Sequence, residues 1–150
     1  MNNKILVFAL VTMFSICAAA NAQTAASYKI SKIKIVPYDQ TLGEFEPEIK
    51  PKDERAFFNE VSTALFIVAE VSGAAGSYEA KRNVEITVLE GKKLRTKKLM
   101  PMGIINQNGK FYAPVFVEAA FCSEVTVTAR MVGQKTVSTL TRKAAFQCGE

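Results

Sequence analysis

The chain has 150 residues, with 19 basic and 14 acidic side chains, a net charge of +5, three cysteines and no histidine. Without histidine, serine–histidine and cysteine–histidine nucleophilic catalysis and a histidine pH switch are excluded, and zinc loses its commonest nitrogen ligand. The excess charge is an ordinary solubility margin and by itself argues for no nucleic-acid partner.

Met1-Asn2-Asn3-Lys4, an apolar run from Ile5 to Ala20, and small residues at Ala20 and Ala22 have the three-part form of a secretory signal peptide. Residues 1–22 are therefore read as a leader that is removed, and 23–27 as a loose continuation. Residues 28–150 are read as one domain in the periplasm or outside the cell. Cys17 raises a lipid anchor as an alternative, but the β-branched Ile16 before it is the wrong neighbour for that chemistry. No second stretch is long and apolar enough for a transmembrane segment. Two cysteines then remain, Cys122 and Cys148, and an even count in an oxidising compartment predicts a disulfide.

Tyr28 to Val36 alternates Ile33 and Ile35 with Lys32 and Lys34, a half-buried strand that Pro37 is expected to end. Tyr38 to Arg55 has no period and reads as a long loop. Its Glu44, Glu46 and Glu48 would share one side of an extended chain. That raises a calcium or cation site, but the ligand spacing around a glycine turn is missing, so a solvated acidic loop is preferred and no metal is assigned. Ala56 to Val71 is ambiguous. Phe57, Phe58, Val61, Leu65 and Val68 have helical spacing, while Leu65 to Val68 is apolar on every face, as in a central strand. The reading splits it into a helical turn over 53–59 and a buried strand from about 61 to 72; a helix over 53–71 would make the fold α+β.

Asn83 to Leu89 alternates cleanly. Glu90-Gly91 turns the chain into a basic run, in which Lys93, Arg95 and Lys97 would share one strand face, with Lys92 and Lys98 on the other. Asn108-Gly109 predicts a two-residue type I′ hairpin, setting Ile105 opposite Tyr112 and Met102 opposite Val115. The outgoing strand, Lys110 to Glu118, points Phe111, Ala113, Val115 and Val117 inward and Tyr112, Pro114 and Phe116 outward; Pro114 marks it as an edge strand or a bulge. Val125 to Met131 alternates, Gly133-Gln134 turns, and Thr136 to Phe146 returns, bringing Cys122 and Cys148 to one open end. A bridge there closes a loop of roughly 25 residues and stabilises the fold by about 3–4 kcal/mol in the chain-entropy model.

Some seven short strands between Gly, Asn and Pro turns predict an all-β, antiparallel two-sheet sandwich. The pattern resembles immunoglobulin-like domains in architecture only, since it lacks their tryptophan and inter-sheet cysteine pair. Two surfaces stand out. Lys92, Lys93, Arg95, Lys97 and Lys98 form a candidate polyanion strip, to be weighed against lysines guarding a sheet edge. No aromatic residue is interleaved there, which argues against nucleic acid. Tyr112, Pro114 and Phe116 form a candidate protein-binding patch, unless a loop covers them.

The functional expectation is an exported, non-catalytic domain that binds a protein or an anionic envelope component, with no cofactor, no catalytic residue and an undetermined oligomeric state. The alternatives are a subunit of a surface or fimbrial assembly, a small carboxylate-dependent hydrolase, and an inhibitor presenting the 38–55 loop.

Overall fold

A computed structural model describes residues 27–50, 57–58 and 63–147. The leader, residues 53–56 and 59 of the expected helical turn, and Cys148 lie outside the described residues. In order, the strands are β1 (Lys29–Asp39), β2 (Glu44–Phe45), β3 (Phe57–Phe58), β4 (Thr63–Ser72), β5 (Asn83–Glu90), β6 (Lys93–Pro101), β7 (Lys110–Glu118), β8 (Val125–Val132), β9 (Thr139–Ala144) and β10 (Phe146–Gln147). The helical turn is corrected where it is described: residues 57–58 form β3, which pairs in parallel with β10. Among the described residues there is no helix, so the α+β alternative falls, and nothing helical is long and apolar enough to cross a membrane.

The strands form two antiparallel four-stranded sheets, in the orders β2-β1-β4-β7 and β6-β5-β8-β9. This is an all-β sandwich. The chain crosses between sheets after β4, after β6 and after β7, so β1–β4, β4–β7 and β5–β8 are neighbours in a sheet without being neighbours in sequence. The first sheet turns Ile33, Ile35, Leu65, Ile67, Ala69, Val71, Ala113, Val115 and Val117 into the core. The second meets them with Val84, Ile86, Val88, Val125, Val127, Ala129, Met131 and Ala144. Each buried Ile, Leu or Val side chain contributes roughly 1.5–3 kcal/mol by leaving water.

Pro37 does not end its strand. The carbonyls of Ile35 and Pro37 accept from the amides of Ile49 and Glu46, on the side of β1 away from β4. In an antiparallel ladder the N–H of a residue points the same way as its C=O, so the donor Pro37 lacks would have faced the outer edge. The β1–β4 register runs on through Pro37↔Leu65 to Asp39↔Thr63.

The Asn108-Gly109 hairpin is also corrected. Gly109 has φ 73°, but Asn108 keeps a negative φ, so the turn is not type I′. The Gly109 amide donates to the Asn106 carbonyl and the Asn106 amide to that of Lys110, which is a turn closed by a left-handed glycine. Ile105 does not pair with Tyr112, nor Met102 with Val115. Residues 102–105 bond instead to Arg82 and Ser77, and β7 goes to the other sheet beside β4. The return strand is shorter than the 136–146 run, beginning at Thr139 and breaking at Ala145.

Candidate binding surface

β7 is the edge of the first sheet, as Pro114 implied. The alternation that sends the amides of Val115 and Val117 toward β4 sends the Pro114 nitrogen to the open side. The pattern along β7 buries Ala113, Val115 and Val117 and leaves Tyr112, Pro114 and Phe116 exposed. No described loop covers Tyr112 or Phe116, which are 46% and 43% exposed.

The patch is larger than the β7 triplet. Register places Val36, Phe66 and Phe116 in one row across β1, β4 and β7, with Lys34, Val68 and Pro114 in the next. Tyr38 joins from β1, with Phe45 opposite it on β2. The Asp39 carboxylate accepts the amides of Thr41 and Leu42, and Gly43 turns with φ 72°, so the chain folds back and lays Phe45 over the sheet. The rings form a connected set, with centroids 4.9 Å apart for Tyr38–Phe45, 5.5 Å for Phe45–Phe66 and 5.7 Å for Tyr38–Phe116. Phe45 remains 60% exposed. The Lys34 ammonium lies 5.9 Å from the centre of the Tyr112 ring.

Sequence reading found Tyr112, Pro114 and Phe116 and missed Tyr38, Phe45 and Phe66. The signal available was alternation: 34, 36 and 38 on β1 share a face, as do 66 and 68 on β4. It was masked because Leu65-Phe66-Ile67-Val68 is apolar at every position, which suggests a strand covered on both sides. Here one side is core and the other is open surface.

The basic run is divided. The β5–β6 register shifts between Val88↔Thr96 and Leu89↔Leu94, which makes Arg95 the extra residue of a β-bulge. Arg95 turns to the core side, where it bonds to Glu90 and to the Ala120 carbonyl and lies against the Phe121 ring. Lys97 goes to the outer side and meets Glu85 at 3.1 Å, which Arg130 also reaches at 2.9 Å. The expectation that Lys93, Arg95 and Lys97 share a face is therefore corrected. Lys92, Lys93 and Lys98 are exposed, with no ion pair among the described residues.

The acidic segment is divided as well. Glu44 and Glu46 are exposed, whereas Glu48 bridges Lys32 at 3.3 Å and the buried Arg142 at 3.0 Å. Among the described residues no group of three or more acidic, cysteine or histidine side chains is placed to hold a metal.

Among the described residues, four carboxylates have pKa values below their ordinary 4.5. For Glu48 and Glu90 burial opposes the charge most strongly, and is outweighed by Arg142 and Lys32 in one case and by the Cys122 amide and Arg95 in the other. For Glu70 the Lys110 hydrogen bond dominates, and for Glu85 that from Lys97.

No protein-family model matches the sequence, and no curated protein is similar enough to lend it a family. An open cleft of about 330 Å³ lies between the start of β1 and the β8–β9 loop. The Gln134 side chain spans it to both backbone groups of Tyr28, and the Ser138 hydroxyl accepts from Ile30. It brings together no acid–base pair.

Proposed function

We propose that this chain is an exported, non-catalytic binding domain whose contact surface is the outer aromatic face of the first sheet. One observation carries the reading: Phe45 and Phe116 stand exposed in one connected set of rings, with exposed Tyr112 on the same side of β7. Scattered exposed apolar residues are normal, but a contiguous aromatic patch rimmed by charges is what partner-binding surfaces present. The partner is a protein or an envelope component, and no cofactor is invoked.

The sheet order β6-β5-β8-β9 supports an immunoglobulin-like version of the sandwich, matching a C′-C-F-G sheet. Export rests on the form of residues 1–22 and on the cysteines. The β8–β9 register sets Val125 opposite Ala144, and Phe121 packs against Phe146 at 5.6 Å, so the segments carrying Cys122 and Cys148 converge. A Cys122–Cys148 bridge is part of the proposal.

A carboxylate hydrolase finds less support. A general acid needs a raised pKa, and the four displaced carboxylates are displaced downward. A subunit assembled by strand addition finds less support at two of the four sheet edges, where β7 carries Pro114 and β6 carries lysines.

The test is capture of partners from the envelope fraction of the source cell by the mature chain at low and high salt. Salt-resistant capture that is lost in Tyr112→Ala/Phe116→Ala supports the aromatic face. Salt-sensitive capture that survives these substitutions transfers the function to Lys92, Lys93 and Lys98.

A further inference from the structure

We infer that the occupant of this face is a second copy of the same chain, docked face to face across a two-fold axis. The inference rests on the reading of the face as the contact surface and names its partner.

The distribution of charge on the face selects the partner. In the register of β1, β4 and β7, Lys34 lies one row before the Val36–Phe66–Phe116 row and Glu118 one row after it, Lys34 on β1 and Glu118 on β7. They therefore occupy diagonally opposite corners of the aromatic centre. Neither has an ion pair among the described residues; Lys34 lies over the Tyr112 ring, and its charge also acts on Glu70. Lys110, bonded to Glu70, lies on the Lys34 side of that row, and exposed Glu44 lies near the opposite end.

A two-fold axis lying in the face over Phe66, perpendicular to the Lys34–Glu118 diagonal, carries each copy's Lys34 onto the other's Glu118. One operation makes both pairs, as an isologous contact requires. The strands of the two copies then cross steeply, in the orthogonal class of sheet packing. Stacking that kept the corners in place would set lysine on lysine and glutamate on glutamate.

Strand addition along β7 is not the route, because Pro114 faces its open edge. The nine residues of β7, at about 3.4 Å each, and three full strands about 4.8 Å apart, with the two residues of β2 beside them, give a face of roughly 450 Å² in projection. That is below the roughly 800 Å² per partner of a standard interface, so the dimer is expected to be weak and reversible.

Sedimentation velocity of wild type, Lys34→Glu, Glu118→Lys and an equimolar mixture of the two variants tests this. Wild type should dimerise reversibly, and each variant alone should dissociate about tenfold or more readily, since like charges then meet twice. The mixture should recover the dimer, because one corner pair is native and the other is reversed but still opposite in sign. That recovery also shows both variants to be folded. Wild type that stays monomeric at hundreds of micromolar, single variants that dimerise like wild type, or a mixture no stronger than its components each overturns the inference. A monomeric wild type whose partner capture is still lost in Tyr112→Ala/Phe116→Ala overturns the dimer alone and leaves the binding face standing.

Discussion

Arg95 closes onto Glu90 across the β5–β6 turn, its Nε donating to the carboxylate at 2.6 Å while the Cys122 amide donates to the other carboxylate oxygen at 2.6 Å. Glu90 is 8% exposed, so this is a nearly buried charge held by a guanidinium and an amide. It ties the β5–β6 turn to the β7–β8 loop, next to the cysteine-bearing end. Glu90→Gln should lower stability by about 1–3 kcal/mol, since it leaves Arg95 short of its counter-charge. Denaturant unfolding at neutral pH measures the difference, and a change below a few tenths of a kcal/mol would refute the clasp.

Acid should weaken the fold below pH 4.5. Glu48, Glu70, Glu85 and Glu90 all have folded pKa values below that figure. As pH falls, the unfolded chain binds protons first. The stability these groups contribute is thus present above 4.5 and is lost as pH drops through their folded values. A series of thermal melts should show this fall, with a shallower slope for Glu90→Gln. Stability that stays flat or rises on acidification contradicts the assignment.

Arg142 presents the opposite case. It is 8% exposed, donates through Nη1 to the Ile33 carbonyl and to Glu48, and keeps Nε and Nη2 buried without an acceptor among the described residues. A half-satisfied buried guanidinium gains little over a well-packed apolar side chain. Arg142→Met should leave the melting temperature unchanged or raise it, whereas Glu48→Ala should cost about 1–3 kcal/mol by stranding the cation. The reverse ranking would show the ion pair itself to be the stabilising unit.

Gly133 and Gly76 both have positive φ, 93° and 73°, yet they differ in surroundings. A Cβ at Gly133 would run into the Lys81 carbonyl, while one at Gly76 meets nothing within 4 Å. Gly76→Ala should cost about 1 kcal/mol from backbone strain alone, and Gly133→Ala clearly more, at least about 2 kcal/mol. Equal costs would mean that the Lys81 segment yields freely.

The sandwich was legible because β5, β7 and β8 alternate cleanly and each faces one core. Three features were hidden for specific physical reasons. Pro37 breaks a ladder only on the side where its missing donor would bond, and sequence does not say which side is paired. Asn108-Gly109 fits more than one tight turn, and only the sign of φ at Asn108 separates a two-residue hairpin from a turn that leads into the opposite sheet. The β-bulge at Arg95 adds one residue to β6, which is enough to move a side chain from one face to the other and divide the basic run. The outer aromatic face was only half visible, as the β7 triplet, while Tyr38, Phe45 and Phe66 were missed. Its β2 and β4 contributors depend on a fold-back at Asp39–Gly43 and on an uncovered sheet side that no local pattern reports.

The most direct test of the central claim compares partner capture and melting temperature for wild type, Tyr112→Ala/Phe116→Ala, and the core variant Ile67→Ala. The core variant should lose about 2–5 kcal/mol, as a buried Ile in a central strand does. The aromatic double variant should melt close to wild type and capture nothing. If it instead melts as low as Ile67→Ala, or captures as well as wild type, the outer face of the first sheet is not the binding surface.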